Sequence, residues 1–225
     1  MNRGARCRRL AMFGLLFVVC AGLLTGLQTS AWAGAQQYVP LADSVKMALH
    51  VAVSDRSAPE PVFKSTEEKI LWLTEMSNRL AKRVPDYRTR LDLIKTARYE
   101  AQRAGLDPQL VLALIEVESG FRKYAVSSAG ARGYMQVMPF WTRLIGNADP
   151  GMLFDMRSNI RYGCVILRHY MDIERDDLFR ALGRYNGSLG KADYPNLIFG
   201  AWRARWQFQA VGSASAGTVS MRAQP

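Results

Sequence analysis

From residue 65 to about 207, apolar side chains return every third or fourth position and almost never alternate, the mark of amphipathic helices. Ser65 and Glu68 make a capping-box pattern, and Ile70, Leu71, Leu73, Met76, Leu80 and Val84 follow on one side before Pro85-Asp86 breaks the run. A second helix fits 87–104, with Leu91, Leu93, Ile94, Ala97 and Ala101 inward and Gly105 as its stop. Asp107 then serves as N-cap and Pro108 as first helical residue of a strongly apolar segment, LDPQLVLALIEVES. Later helices fit roughly 134–145, 155–172, 176–185 and 193–207. Upstream, Leu41, Val45, Ala48, Leu49 and Ala52 recur at helical spacing, so 34–64 reads as an arm with one short helix and a linker, SDRSAPEP. The predicted class is all-α, with the main domain at 65–207 and a loose tail at 208–225.

Residues 1–33 stand apart from this pattern. Four arginines and no acid precede the uncharged run LAMFGLLFVVCAGLLTGL, and Ala-Trp-Ala closes at Ala33. Basic start, apolar middle and small-x-small end describe a secretory signal peptide; the alternative is a retained transmembrane anchor, for which the run is at the lower limit of length. Cleavage would remove Cys7 and Cys20, leaving Cys164 and no internal disulfide. The net charge of +11, less those four arginines, becomes +7. The basic residues are scattered, no nucleic-acid module is present, and the excess suits an anionic envelope or solubility alone. His50 and His169 are isolated, so no metal-ligand cluster is expected.

The 108–119 helix carries two acids. Advancing about 100° per residue from Val111, the apolar face centres near ~0–20°, Glu118 falls at about 340° and Glu116 at about 140°. Glu118 therefore points inward or into a cleft, and Glu116 points elsewhere. A carboxyl in apolar surroundings resists ionisation and can act as a general acid. On geometry alone an equal alternative is that Glu118 pairs with an arginine as a buried ion pair. SSAGARG (127–133) is small enough for close backbone approach or for a tight turn between helices, and YMQVMP adds a glutamine between two methionines, a residue type more often found in cores.

These residues resemble the catalytic signature of the soluble lytic transglycosylases, muramidases with a lysozyme-like fold. Glu118-Ser119 opens the pattern, Gly130-Ala131-Arg132-Gly133 and Met135-Gln136-Val137-Met138-Pro139 follow at the family's distance, then Asn159-Ile160 with Gly163, then Tyr185-Asn186-Gly187. The likeness extends over roughly 87–205. Tyr134 stands where the family has Leu, and Arg184 where it has Ala; both bear on subsite shape. The resemblance implies a lysozyme-like helical domain in which Glu118 is the catalytic acid. Ser127, Gln136, Met138 and Tyr185 would line the sugar cleft, with Gln136 and Tyr185 orienting Glu118 or substrate. Asn159 and Asn186 would support it, equally as structural hydrogen bonds holding the cleft together, and Tyr185 could instead be a packed aromatic. Ser119 would cap the helix end.

The resemblance further implies peptidoglycan glycan strands as substrate, no cofactor, a periplasmic location without stable membrane insertion, and envelope or secretion machinery as a partner class. Ordinary glycosidases pair two carboxylates, whereas these blocks supply one. In the family's chemistry Glu118 would protonate the oxygen linking N-acetylmuramic acid to N-acetylglucosamine, then take the proton of the muramic C6 hydroxyl as a 1,6-anhydro ring closes. Two rivals remain at this level. One is a lysozyme-type hydrolase using Asp149, Asp155 or Asp193 as base; the other is a non-catalytic wall-binding component of an envelope assembly.

Overall fold

A computed structural model describes residues 36–54 and 61–208; the signal-like segment, the middle of the SDRSAPEP linker and the tail from 209 lie outside the described residues. Within them the chain is helical: α1 (Asp43–Ser54), α2 (Thr66–Leu80), α3 (Tyr87–Arg103), α4 (Pro108–Ser119), α5 (Phe140–Ile145), α6 (Met156–Ile173), α7 (Leu178–Asn186) and α8 (Asp193–Ala201). A 3-10 turn (Pro150–Phe154) leads into α6, and a π-helical turn (Trp202–Trp206) follows α8. The all-α expectation holds among the described residues, whose β-type pairing is confined to the isolated bridges Val126–Arg132 and Arg132–Val137.

α4 is the centre. Its Leu110 to Glu116 stretch is buried on every side, as a helix apolar all round must be. α3, α8 and the π-helical turn pack on it, while α6 packs on α3 and α7. Asp107 caps the start of α4 by accepting from Gln109 N (2.6 Å), and Gly120, left-handed at φ 58°, ends it. α3 and α6 are bolted together by a buried ion pair in which Arg161 donates to Glu100 at 2.8 Å, and Arg103, on α3 itself, adds a 3.2 Å bond to the same carboxylate. Burial, with the Glu100 charge behind it, pushes the Cys164 thiol well up.

Capping by Ser65 is as expected, since it accepts from Glu68 N at 3.1 Å. The return leg lands one residue earlier, with Lys64 N donating to Glu68 Oε2 at 2.7 Å. The inward face of α2 differs from the expectation. Trp72, Met76 and Leu80 are buried while Ile70 and Leu71 are exposed, because Arg98 of α3 stacks on Trp72 (4.9 Å) and Phe63 (3.8 Å) and turns that face inward. The helix expected over 134–145 is shorter. Gly133 and Gln136 have left-handed backbone (φ 75° and 48°), and the residue before Pro139 is biased away from helix, so 134–139 forms a looped turn and α5 begins at Phe140. The helix expected over 193–207 ends at Ala201 and gives way to the π-helical turn.

The arm is docked on the domain. α1 packs on α5 and α6, and His50 Nδ1 lies 3.1 Å from Ile145 O. Among the described residues no helix is long and apolar enough to cross a membrane.

Candidate functional site

The site grows from the last turn of α4. Glu118 is 1% exposed, and the Tyr194 hydroxyl of α8 donates to its Oε1. α8 places Tyr194 there because Tyr194, Pro195 and Ile198 form its buried face against α4. Burial first, and the Glu118 charge second, push the Tyr194 and Tyr185 hydroxyls well above their usual range, so both are neutral hydrogen-bonding groups at any working pH.

The loop from 125 to 139 is cross-braced. Gly133 N donates to Ala125 O (2.9 Å), and Arg132 and Val137 exchange backbone bonds at 3.0 Å. Ser127 Oγ accepts from Ala131 N at 3.0 Å. Gln136 is 2% exposed and spends its Nε2 on Gly133 O (2.8 Å) and Ala125 O (3.1 Å), so its amide nitrogen braces the loop. Asn159, fully buried on α6, accepts from Met135 N at 2.7 Å and donates to Arg132 O and Leu153 O at 2.8 Å each. It holds the second block to the third. Tyr185, on α7, donates to Met135 O at 2.8 Å and holds the second block to the fourth.

Two glycines of the pattern have steric reasons. A Cβ on Gly133 would sit 2.3 Å from Leu153 O and 2.4 Å from Asn159 Nδ2, at a φ of 75°. A Cβ on Gly163 would sit 2.4 Å from Met135 Sδ. Both let the loop and α6 approach within reach of the Asn159 bonds.

Of the residues expected at the site, Glu118, Gln136, Tyr185 and Asn159 are buried, and Ser127, Met138 and Asn186 are half-buried. Asn186 donates to Ser188 Oγ at 3.0 Å, within its own turn. Ser119 donates to Ile115 O (3.1 Å) and Gly120 supplies the helix end instead. Glu116 points elsewhere than Glu118, as expected, and the place it points to is itself built. It is buried at 9% exposure and accepts from Arg83, from Arg205 Nε at 2.8 Å and from Trp206 Nε1 at 2.6 Å. The buried ion pair considered for Glu118 is the one Glu116 makes.

Asp149 and Asp155 are exposed and cap the 3-10 turn and α6, accepting from Gly151 N and Ser158 N at 2.8 Å each. Asp193 is exposed at the start of α8. Among the described residues no three His, Cys, Asp or Glu side chains gather as a metal site. The motif reading missed Tyr194. Its only signal was an aromatic eight residues past Asn186 on a helix of unknown facing.

Residues 95–196 match the family model described as Transglycosylase SLT domain. Membrane-bound lytic murein transglycosylase C of Actinobacillus pleuropneumoniae serotype 5b (strain L20) is 37% identical over 90 residues, 36% of this chain and 24% of that protein. The same-named protein of Histophilus somni (strain 2336) is 34% identical over 130 residues, 51% of this chain and 34% of its own length. A transglycosylase of Enterobacteria phage PRD1 is 33% identical over 109 residues, 42% and 40% of the two chains. The chain thus spans only a quarter to two fifths of the curated relatives it matches. Among solved structures, an inactive mutant of lytic transglycosylase Slt from Pseudomonas aeruginosa aligns with a TM-score of 0.42 and 24% identity, over 55% of this chain and 22% of that one. Asn159 and Tyr185 tie the second motif block to the third and fourth, and the family match lies across all four blocks, so residues 95–196 are similar to the SLT transglycosylase domain.

Proposed function

We propose that the chain is an exported lytic transglycosylase that cleaves the bond between N-acetylmuramic acid and N-acetylglucosamine in peptidoglycan and leaves 1,6-anhydro ends. Residues 65–207 would form the lysozyme-like catalytic domain, 34–64 its arm, and 1–33 the signal that sends it to the periplasm. The observation that carries the reading is Glu118, a carboxyl on the most buried helix, met by the neutral Tyr194 hydroxyl at the centre of the four motif blocks.

The chemistry asks one group to act twice. At 1% exposure Glu118 is withdrawn from bulk water, so a proton can pass directly between its carboxyl and a bound sugar. As the glycosidic bond breaks, Glu118 gives its proton to the leaving oxygen, and the substrate's own N-acetyl group shares the developing positive charge. The Tyr194 hydroxyl then steadies the new carboxylate while it draws the proton from the muramic C6 hydroxyl and O6 closes on C1. No water is consumed. The three aspartates a hydrolase would draw on are exposed, two of them spent as caps, which favours the single-acid route.

Glu118→Gln tests this. Gln keeps an oxygen to accept from Tyr194 and cannot donate an acidic proton, so the variant should fold and lose activity on purified sacculi. Mass spectrometry of wild-type digests should show anhydro ends. Reducing ends would make the protein a hydrolase, and an active Glu118→Gln would refute the assignment of the acid. A wild type that binds sacculi without cutting them would make it a wall-binding component.

A further inference from the structure

The family match ends at residue 196, yet the chain runs on through the π-helical turn, Trp202–Trp206, whose side chains return to α4. Such turns are rare and recur at functional sites. Trp206 is 2% exposed. Its Nε1 donates to Glu116 Oε2 at 2.6 Å, and its ring lies 5.4 Å from that of Phe121, tilted by 55°. Arg205 Nε donates to the same carboxylate at 2.8 Å. Arg79 of α2 donates to Arg205 O and to Gln207 O, at 2.9 Å each, and Phe208 N donates to Gln109 Oε1. The segment 202–208 is thus fastened to α4 near both its ends, at Gln109 and at Glu116.

Phe121 is the other half of the ring contact. It follows Gly120, and their φ values are 58° for the glycine and 65° for the phenylalanine, so the chain leaves α4 through two successive left-handed residues. Glycine takes that conformation without cost, having no Cβ; in phenylalanine the Cβ crowds the following carbonyl. Strain of this kind persists only where the surroundings hold it. Phe121 is 4% exposed with the Trp206 ring against it, and Arg122 Nε donates to Ser119 O at 2.9 Å across the same bend. Glu118 stands two residues before Gly120, so the turn that carries its carboxyl ends in a strained bend held from outside the family match.

We propose that Trp206 is a positioning residue: its ring clamps Phe121 in the left-handed bend and so fixes where the last turn of α4 sets Glu118 against Tyr194. The proposal rests on the catalytic reading above for the use made of that position. It carries the catalytic unit past the family match to residue 206, and it assigns the work to the indole ring rather than to its bond with Glu116. Tyr194 comes from α8, and the π-helical turn continues directly from α8. One stretch of chain, 194–206, therefore supplies both the partner of the acid and the clamp on the turn that bears it.

The test compares three variants of the full chain. Trp206→Phe keeps an aromatic ring for Phe121 and loses the N–H; Trp206→Leu loses both. Trp72 is as buried, at 1% exposure, and packs on Phe63 and Arg98 instead, so Trp72→Leu controls for the loss of a core tryptophan. Nuclear magnetic resonance reads the φ of Phe121 through the coupling between its amide and α protons, and kcat and KM are measured on solubilised glycan strands below each melting range. Trp206→Leu should change the coupling and lower kcat about 10-fold to 100-fold with KM within about twofold. Trp206→Phe should hold the coupling and keep kcat within about threefold of wild type. Trp72→Leu should lower Tm and move neither. Should Trp206→Leu not fold, Phe121→Leu removes the same stack from the other side and carries the same expectation. An unchanged coupling would overturn the clamp. A changed coupling with kcat held, or a kcat loss that Trp72→Leu or Trp206→Phe shares in full, would overturn the positioning role. Lysis of sacculi by Glu118→Gln would instead sink the assignment of the acid while the coupling still decides the clamp, so the two readings fail separately.

Discussion

Glu116 offers a sharp test of the physical account, because its place on the helix edge suggests a silent residue and its contacts say otherwise. Replacing it with Gln removes the charge that Arg83 and Arg205 share, and it sets an NH2 against at least one of three donors. The two arginine side chains are 43% and 51% exposed and can turn to water, so each ion pair is worth only about 0–1 kcal/mol. Trp206 is 2% exposed and cannot turn away, so the carboxamide oxygen stays on the side Trp206 shares with Arg205 and the NH2 is set against Arg83; exchanging a charged for a neutral acceptor at the buried indole costs a further ~1 kcal/mol. The sum is about 1–3 kcal/mol, which for a chain of this size lowers Tm by roughly 2–12 °C. Differential scanning calorimetry of wild type and Glu116→Gln measures it, with Glu75→Gln, which breaks the i,i+4 Arg79 pair worth about 0.3–0.5 kcal/mol, as a control that should move Tm by about 1–2 °C. Lytic activity of Glu116→Gln should persist below its melting range. A variant that melts with wild type would show that the hub contributes nothing and that the burial argument is wrong.

Tyr194→Phe keeps the ring packed and removes the donor to Glu118, so the chain should fold, hold its KM within about twofold and lose roughly 10-fold to 100-fold in kcat, the scale of one positioned hydrogen bond in the transition state. A KM effect without a kcat effect would place Tyr194 outside the chemistry. The Arg180 and Arg184 guanidiniums hold the Glu174 carboxyl below its ordinary 4.5, so its contribution to stability is full above that value and is lost as pH falls through the lowered one. Glu174→Gln should therefore melt closer to wild type in acid than at neutral pH, and a difference that grows on acidification would contradict the sign.

How far the sequence could be read depended on whether a residue's role was local. Ser65, Asp107, Pro108 and Gly105 act within a few residues of themselves, and the helix starts and stops they mark are where the pattern puts them. Glu118 was legible as an inward acid because helix geometry alone fixes its bearing. Ile70 and Leu71 were misread because which side of α2 turns inward is set by Arg98, some thirty residues on. The 134–139 turn hid inside a helical-looking composition whose left-handed Gln136 depends on bonds to Ala125 O and Gly133 O. Tyr194 was illegible for the same reason. It is defined by a partner 76 residues away, and no spacing rule reaches that far. The Trp206 bond that makes Glu116 structural comes from 90 residues downstream.

α4 is at once the keystone of the core and, on the function proposed above, the carrier of the acid. A substitution at Leu114 or Ile115 that moved α4 by about 1 Å would reach the chemistry before it reached the melting curve, since such misplacement can cost about 100-fold in rate. On the proposed function, adaptation to different wall chemistries would be channelled to the loops at the periphery, while the helix that bears Glu118 stays fixed.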